Sequence, residues 1–140
     1  MKIIPLIVSL FFVSTSFSQS VSDLGKMSFE TVKMLQSTSP CETTGNKALR
    51  YCSEDGNFII YTFENNKLNG IVFLTAFLTR TKAEQGLTDM VDDFTGIAGK
   101  SPEILGGMAV FKMTKDISVT YEIKEYQGTY FVAYSTLLIP

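Results

Sequence analysis

The sequence predicts an α+β domain in which an antiparallel sheet of about six strands has two helices packed on one face. Two segments have the apolar spacing of amphipathic helices, and six shorter apolar-rich segments are separated by turn residues. Short connections between successive strands favour antiparallel pairing. A sheet that buries one face needs a covering layer, which the two helices would supply.

The N-terminal residues 1–18 have the three parts of a secretory signal peptide. Lys2 is the one charge before an apolar run from Ile3 to Val13, and Ser16-Phe17-Ser18 fits a cleavage site. The run is shorter than the roughly 20 residues of a membrane helix. We therefore expect a secreted or periplasmic protein whose residues 19–140 form one domain without a transmembrane segment.

The first predicted helix covers residues 20–36. Ser20-x-x-Asp23 resembles a capping box, and apolar residues follow on one helix face. Pro40 ends this region, because the residue before a proline avoids the helical conformation. The segment from Cys41 to Lys47 is polar and is predicted to be a loop.

Three strands follow in this half, and the last two should form a hairpin. The predicted strands are 49–53, 58–64 and 67–78. Asn65 and Asn66 tolerate the positive φ angles of a two-residue turn. Such a turn would place Glu64 opposite Lys67 as a cross-strand pair of opposite charge.

The second predicted helix covers residues 81–98 and has the clearest apolar stripe. Thr81-x-x-Glu84 fits a capping box, and Gly99 suits the left-handed position at the end of a helix. Three more strands are predicted, at 108–113, 117–124 and 129–137. In the last two strands, apolar and polar residues alternate, which predicts one buried and one solvent-exposed face.

The order helix, three strands, helix, three strands suggests a tandem α-β-β-β duplication. Three residue pairs align between the halves at separations near sixty: Asp55 with Asp116, Tyr61 with Tyr121, and Gly70 with Gly128. This order of elements resembles, at the level of topology, the β-lactamase-inhibitor type of fold. A likeness of topology alone does not fix function.

Cys41 and Cys52 are the two cysteines of the chain. In an exported protein an even pair favours a disulfide, which for so short a loop would stabilise the fold by roughly 2–3 kcal/mol. A redox pair is the alternative, but the spacing is not C-x-x-C.

Composition argues against several kinds of chemistry. The chain has no histidine, which removes the commonest general base and zinc ligand. Its 12 basic and 14 acidic residues are scattered and form no basic stripe, so we expect no nucleic-acid binding. We also expect no bound cofactor. Asp89, Asp92 and Asp93 could share a helix face as a metal or acid–base site; a solvated helix face is the simpler interpretation.

One apolar cluster in the first hairpin remains without a predicted cover. A turn at Asn65-Asn66 gives one wholly apolar core face. The other face then carries Phe58, Ile60, Ile71, Phe73 and Phe77. Five large apolar side chains could exceed the patch that a monomer normally exposes. Either the first helix, the loop at 41–47 or a second copy in a homodimer covers them, or they bind a partner.

Three function classes are compatible with these features. The first is an exported, non-catalytic module, inhibitor- or immunity-like, that engages another protein through the apolar cluster. The second is a carrier of a small apolar ligand between sheet and helices. Its predicted lining is Tyr61, Phe63, Leu74, Leu87, Met90, Phe94, Tyr121 and Tyr134. The third is an enzyme that uses carboxylates, or tyrosine and lysine.

Overall fold

The structure is a computed structural model that describes residues 23–139, so the predicted signal peptide lies outside the described residues. Two helices and eight strands follow one another along this part of the chain. In order they are α1 (Phe29–Leu35), β1 (Glu42–Thr44), β2 (Ala48–Cys52), β3 (Phe58–Glu64), β4 (Lys67–Phe77), α2 (Arg80–Ala98), β5 (Glu103–Leu105), β6 (Met108–Lys112), β7 (Ile117–Tyr126) and β8 (Thr129–Leu138). Within residues 23–139, neither helix combines the length and apolar character that a membrane span requires.

All eight strands form one antiparallel sheet in the order β1-β2-β3-β4-β8-β7-β6-β5. The α+β class and the antiparallel sheet are confirmed, but the predicted count of six strands is wrong. The two additional strands, β1 and β5, are three exposed residues long and lie at the two edges of the sheet. Such short, solvated edge strands have no buried face and therefore leave no alternating pattern in the sequence.

The first predicted helix, residues 20–36, is only partly matched: residues 20–22 lie outside the described residues, Asp23 is helical, and α1 covers Phe29–Leu35 after an interruption at Gly25. Gly25 has φ +81°, and its backbone N–H donates to the carbonyl of Leu68 at the start of β4. This left-handed glycine turns the chain out of a helical path. Ser28 then caps α1, because its hydroxyl accepts a hydrogen bond from the backbone N–H of Thr31.

The second helix matches its prediction except at its start. Thr79, and not Thr81, is the N-cap, since its hydroxyl accepts from the N–H of Lys82 at 3.2 Å. Arg80 therefore lies within the first turn and pairs with Glu84 at 3.0 Å. At the other end Gly99 adopts the predicted left-handed conformation, with φ +70°.

The hairpin turn between β3 and β4 is confirmed. Asn65 and Asn66 have φ angles of 52° and 59°, and Glu64 pairs with Lys67. Positive φ at both central residues is the requirement of the turn that suits a two-residue hairpin.

A bulge two residue pairs beyond this turn reverses which side chains of β4 share a face with β3. Phe63 pairs with Leu68, but Thr62 pairs with Gly70, so Asn69 is an extra residue on β4. The side chain of Asn69 accepts a hydrogen bond from the Thr62 hydroxyl at 2.8 Å. One extra residue shifts every later side chain of the strand to the other face.

Strand register divides the sheet into two faces. The core face carries Tyr61, Ile71, Phe73, Val119, Tyr121 and Tyr134, and the opposite face carries Phe58, Ile60, Val72, Leu74 and Phe131. We use these two names below.

Two hydrophobic clusters contain residues of the core face. The first joins Phe29 and Val32 of α1 to residues of β2, β3 and β4, and the second joins Phe94 of α2 to residues of β6, β7 and β8. Phe73 packs against both clusters. The ring of Phe94 lies 4.8 Å from that of Phe111, in an edge-to-face arrangement.

Two glycines of α2 provide a matched test of which side of this helix packs against the sheet. A Cβ at Gly86 would overlap the ring of Phe77, whereas a Cβ at Gly96 would meet no atom within 4 Å. Gly→Ala in a helix normally stabilises by about 0.5–1 kcal/mol, and we expect this gain for Gly96→Ala. Gly86→Ala should instead destabilise by about 1–2 kcal/mol, because overpacking outweighs helix propensity. Urea unfolding measures both; an equal gain in both variants would contradict this position of α2.

Candidate functional site

The candidate site is the opposite face of the sheet. At its centre lie half-buried apolar side chains on neighbouring strands: Phe58 pairs with Leu74, and Ile60 pairs with Val72. Neither hydrophobic cluster includes any of these four residues. The face therefore presents apolar side chains that do not belong to the core.

The cluster predicted from the sequence is divided between the two faces. Phe58 and Ile60 lie on the opposite face as expected. Ile71 is only 1% exposed, and Phe73 and Phe77 pack against the hydrophobic clusters, so these three lie on the core face. The predicted register was wrong because the bulge at Asn69 was not recognised. Val72 and Leu74 take the places assigned to Ile71 and Phe73.

A groove of about 270 Å³ lies at one end of this face. The β2–β3 turn forms one side and the β7–β8 hairpin turn forms the other. The residues that line it are Arg50, Cys52, Ser53, Gly56, Asn57, Phe58, Tyr126, Gln127, Thr129 and Phe131. The sequence did not single out Arg50, Tyr126 or Phe131, because only the strand register brings them together.

Arg50 and two phenylalanines form a stack along the groove. The guanidinium carbon of Arg50 lies 4.1 Å from the ring centre of Phe58, which is within cation–π range. The ring of Phe58 in turn meets that of Phe131 edge-to-face at 5.3 Å. The stack fixes the plane of the guanidinium against an aromatic surface.

The hydrogen-bonding capacity of Arg50 is largely unused. Its Nε is buried and has no hydrogen-bond partner among the residues that the structure describes. Its Nη1 lies 4.0 Å from Oε2 of Glu42, which is too far for a hydrogen bond. The side chain of Glu42 is 63% exposed, so this ion pair is weak.

The β2–β3 turn beside the groove is held by a dense set of hydrogen bonds. The carboxylate of Asp55 accepts from the Ser53 hydroxyl and from the backbone and side-chain N–H groups of Asn57. The hydrogen bond from Ser53, followed by that from Asn57, lowers the pKa of Asp55 below its ordinary value. Asn57 Oδ1 accepts from the N–H of Ala76 at 2.8 Å. These bonds tie the turn to β4.

The predicted disulfide between Cys41 and Cys52 is confirmed, with a Cα–Cα distance of 6.0 Å. It joins the residue before β1 to the last residue of β2 and so holds Glu42 near Arg50. A disulfide of this kind indicates an oxidising, non-cytoplasmic compartment.

Loss of the disulfide should lower the free energy of unfolding. For the double variant Cys41→Ala/Cys52→Ala we expect a decrease of roughly 2–3 kcal/mol, because a loop closed over 11 residues of separation becomes free in the unfolded chain. Urea unfolding of both proteins, with and without reductant, measures the difference. Reductant should destabilise the wild type alone; unchanged stability of the double variant would refute a structural role.

Three residues of the lining predicted for an apolar-ligand carrier pack against one another. The rings of Tyr121 and Tyr134 are 4.9 Å apart, and that of Phe94 lies 5.8 Å and 6.3 Å from them. Phe94 of α2 therefore contacts Tyr121 of β7 and Tyr134 of β8 through their rings. Leu74 lies on the opposite face by register.

The three aspartates considered for a metal or acid–base site all lie on the exposed surface of α2. Asp89, Asp92 and Asp93 are solvent-exposed. Within residues 23–139, no group of three or more carboxylate or cysteine side chains is arranged to hold a metal ion.

Comparison with known proteins identifies no relative: no family model, curated protein or solved structure matches this chain.

Proposed function

We propose that this chain is an exported, non-catalytic binding module that engages another protein through the opposite face of its sheet. The observation that carries the proposal is the row of apolar side chains, Phe58, Ile60, Val72 and Leu74, which lie outside both hydrophobic clusters. An apolar sheet centre bordered by polar and charged residues has the character of a protein interface.

The proposal includes the arrangement of the two helices and of the two halves. We propose that both helices pack against the core face, which would leave the opposite face free. Phe73, which contacts both clusters, supports this arrangement. The strand order, β1 to β4 followed by β8 to β5, is what a tandem duplication of one helix and four strands would produce.

Export and the absence of catalysis are also part of the proposal. The signal-like residues 1–18 and the disulfide support an extracellular or periplasmic location. Asp89, Asp92 and Asp93 are exposed on α2 and do not line the groove, so we propose no catalytic role for them. A binding role needs only the surface itself.

Site-specific photo-crosslinking in the producing cells tests the proposal. The crosslinking residue p-benzoylphenylalanine is placed at Leu74 on the opposite face or, as a matched control, at Ile97 of α2, which is 71% exposed. We expect one discrete adduct with a different protein at position 74 and none at position 97. No adduct, the same adducts at both positions, or an adduct of two copies of this chain would each overturn the proposal.

A further inference from the structure

The groove at the end of the opposite face has one cationic side chain and no acidic one. Of the ten residues that line it, Arg50 is the only charged residue, and the three aromatic ones are Phe58, Tyr126 and Phe131. We infer that this groove binds a carboxylate that lies beside an aromatic side chain in the partner protein. This inference rests on the proposed function and assigns the chemistry that anchors the partner.

The N–H donors of Arg50 that have no hydrogen-bond partner among the described residues favour a carboxylate as the group that binds in the groove. The stack on Phe58 covers one face of the guanidinium and Nε is buried, so the donors that a ligand can reach are the N–H groups of the two Nη atoms, which lie in the plane of the group. Glu42 is the neighbouring carboxylate and stays beyond hydrogen-bond distance. An incoming carboxylate can approach in the guanidinium plane and accept two parallel hydrogen bonds, the strongest pairing available to arginine.

The aromatic residues that line the groove favour an aromatic side chain beside the carboxylate of the ligand. Tyr126 is 64% exposed, although it is large and carries an apolar ring. Together with Phe58 and Phe131 it provides ring faces and edges against which a planar side chain can pack. Aromatic and arginine side chains in such combinations are the usual anchors of protein interfaces.

The groove is also held in shape before anything binds. The Asp55 and Asn57 hydrogen bonds fix the β2–β3 turn, and the disulfide fixes the end of β2. On the other side Gln127 and Gly128, with φ angles of 50° and 80°, form a tight two-residue turn. A site that needs little ordering loses less affinity when it binds.

Titration of the 15N-labelled mature protein with N-acetyl-L-phenylalanine tests this inference by NMR. This probe carries a carboxylate beside an aromatic ring, and its amide, N-acetyl-L-phenylalaninamide, lacks only the charge. We expect backbone shifts at the groove residues and a Kd on the order of 1 mM, as for a small probe. The amide should bind at least about tenfold more weakly, because the charge-assisted pairing is lost.

Variants of the two arginines of the chain provide the matched control. Arg50→Gln should weaken probe binding at least about tenfold, and Arg50→Lys should also weaken it, because an ammonium cannot pair bidentately. Arg80→Gln removes the same charge from α2 and should leave the Kd unchanged.

Equal binding of the acid and the amide, or an Arg50→Gln variant that binds the probe like the wild type, would overturn the inference. Failure here can be distinguished from failure of the proposed function. A partner adduct at position 74 without probe binding means that the face binds a protein but the groove does not select a carboxylate. Probe binding without any adduct means that the groove binds a small acid and that the protein-binding proposal is wrong.

Discussion

Ile71→Glu is expected to unfold the protein or to lower its free energy of unfolding by at least about 3–5 kcal/mol. Ile71 is 1% exposed and lies in the first hydrophobic cluster, so the substitution places an unpaired carboxylate among apolar side chains. A loss of this size is a large part of the total stability of an ordinary domain, about 5–15 kcal/mol. Urea unfolding followed by circular dichroism measures it.

The neighbouring substitution Val72→Glu is the control. Val72 is half-buried on the opposite face, and its side chain belongs to neither cluster. We expect a folded protein that loses no more than about 1 kcal/mol, mostly through strand propensity. The difference in stability between Ile71→Glu and Val72→Glu therefore shows which of the two side chains faces the core, and so tests the register of β4. If Val72→Glu unfolded the protein and Ile71→Glu did not, the bulge at Asn69 would be wrong.

The protein is also expected to lose stability steeply above about pH 10. Burial raises the pKa of Tyr121 and of Tyr134 above the ordinary value of 10.0. Below pH 10 both hydroxyls are protonated in the folded and unfolded states. As the pH rises further, the unfolded chain releases these protons while the folded chain keeps them, so the free energy of unfolding falls. Each tyrosine contributes about 1.4 kcal/mol per pH unit to this slope.

Tyr121→Phe isolates the contribution of one of these hydroxyls. It removes one titrating group, so the alkaline slope should decrease by about 1.4 kcal/mol per pH unit relative to the wild type. Urea unfolding at a series of pH values between about 8 and about 11.5 gives both slopes. An unchanged slope in this variant would mean that Tyr121 titrates alike in the folded and unfolded chains.

Much of the fold followed from local sequence signals. The turn at Asn65-Asn66 could be predicted because few residue pairs tolerate positive φ at both positions. The apolar stripe of α2 and its glycine stop were sufficient to place that helix. The disulfide was indicated by an even cysteine pair behind a signal-like segment.

The features that the sequence did not reveal depend on tertiary contacts. The bulge at Asn69 decides which residues face the core, and its local sign is Gly70, because a glycine inside a strand pattern often marks a bulge. The edge strands β1 and β5 exist only because a neighbouring strand pairs with them. Arg50 and Phe131 are far apart in sequence, and their meeting at the groove depends on a strand order that local patterns do not specify.

The bulge at Asn69 explains why the predicted partner-binding residues are divided between the two faces of the sheet. Phe58 and Ile60 lie on β3, which contains no extra residue at the bulge, and keep their predicted face. Ile71, Phe73 and Phe77 follow the bulge and are moved to the core face. The extra residue therefore places three of the five predicted partner-binding residues on the core face. The opposite face still carries apolar side chains.

Size-exclusion chromatography with light scattering on the mature protein is the most direct test of whether the opposite face is free for a different protein. The wild type, Leu74→Glu and the α2 control Ile97→Glu are compared at the same concentration. We predict that all three are folded monomers, because the proposed partner of the opposite face is a different protein and not a second copy of the chain. A wild-type dimer that Leu74→Glu alone converts to a folded monomer would contradict this view and would make the face a contact between two copies of the chain.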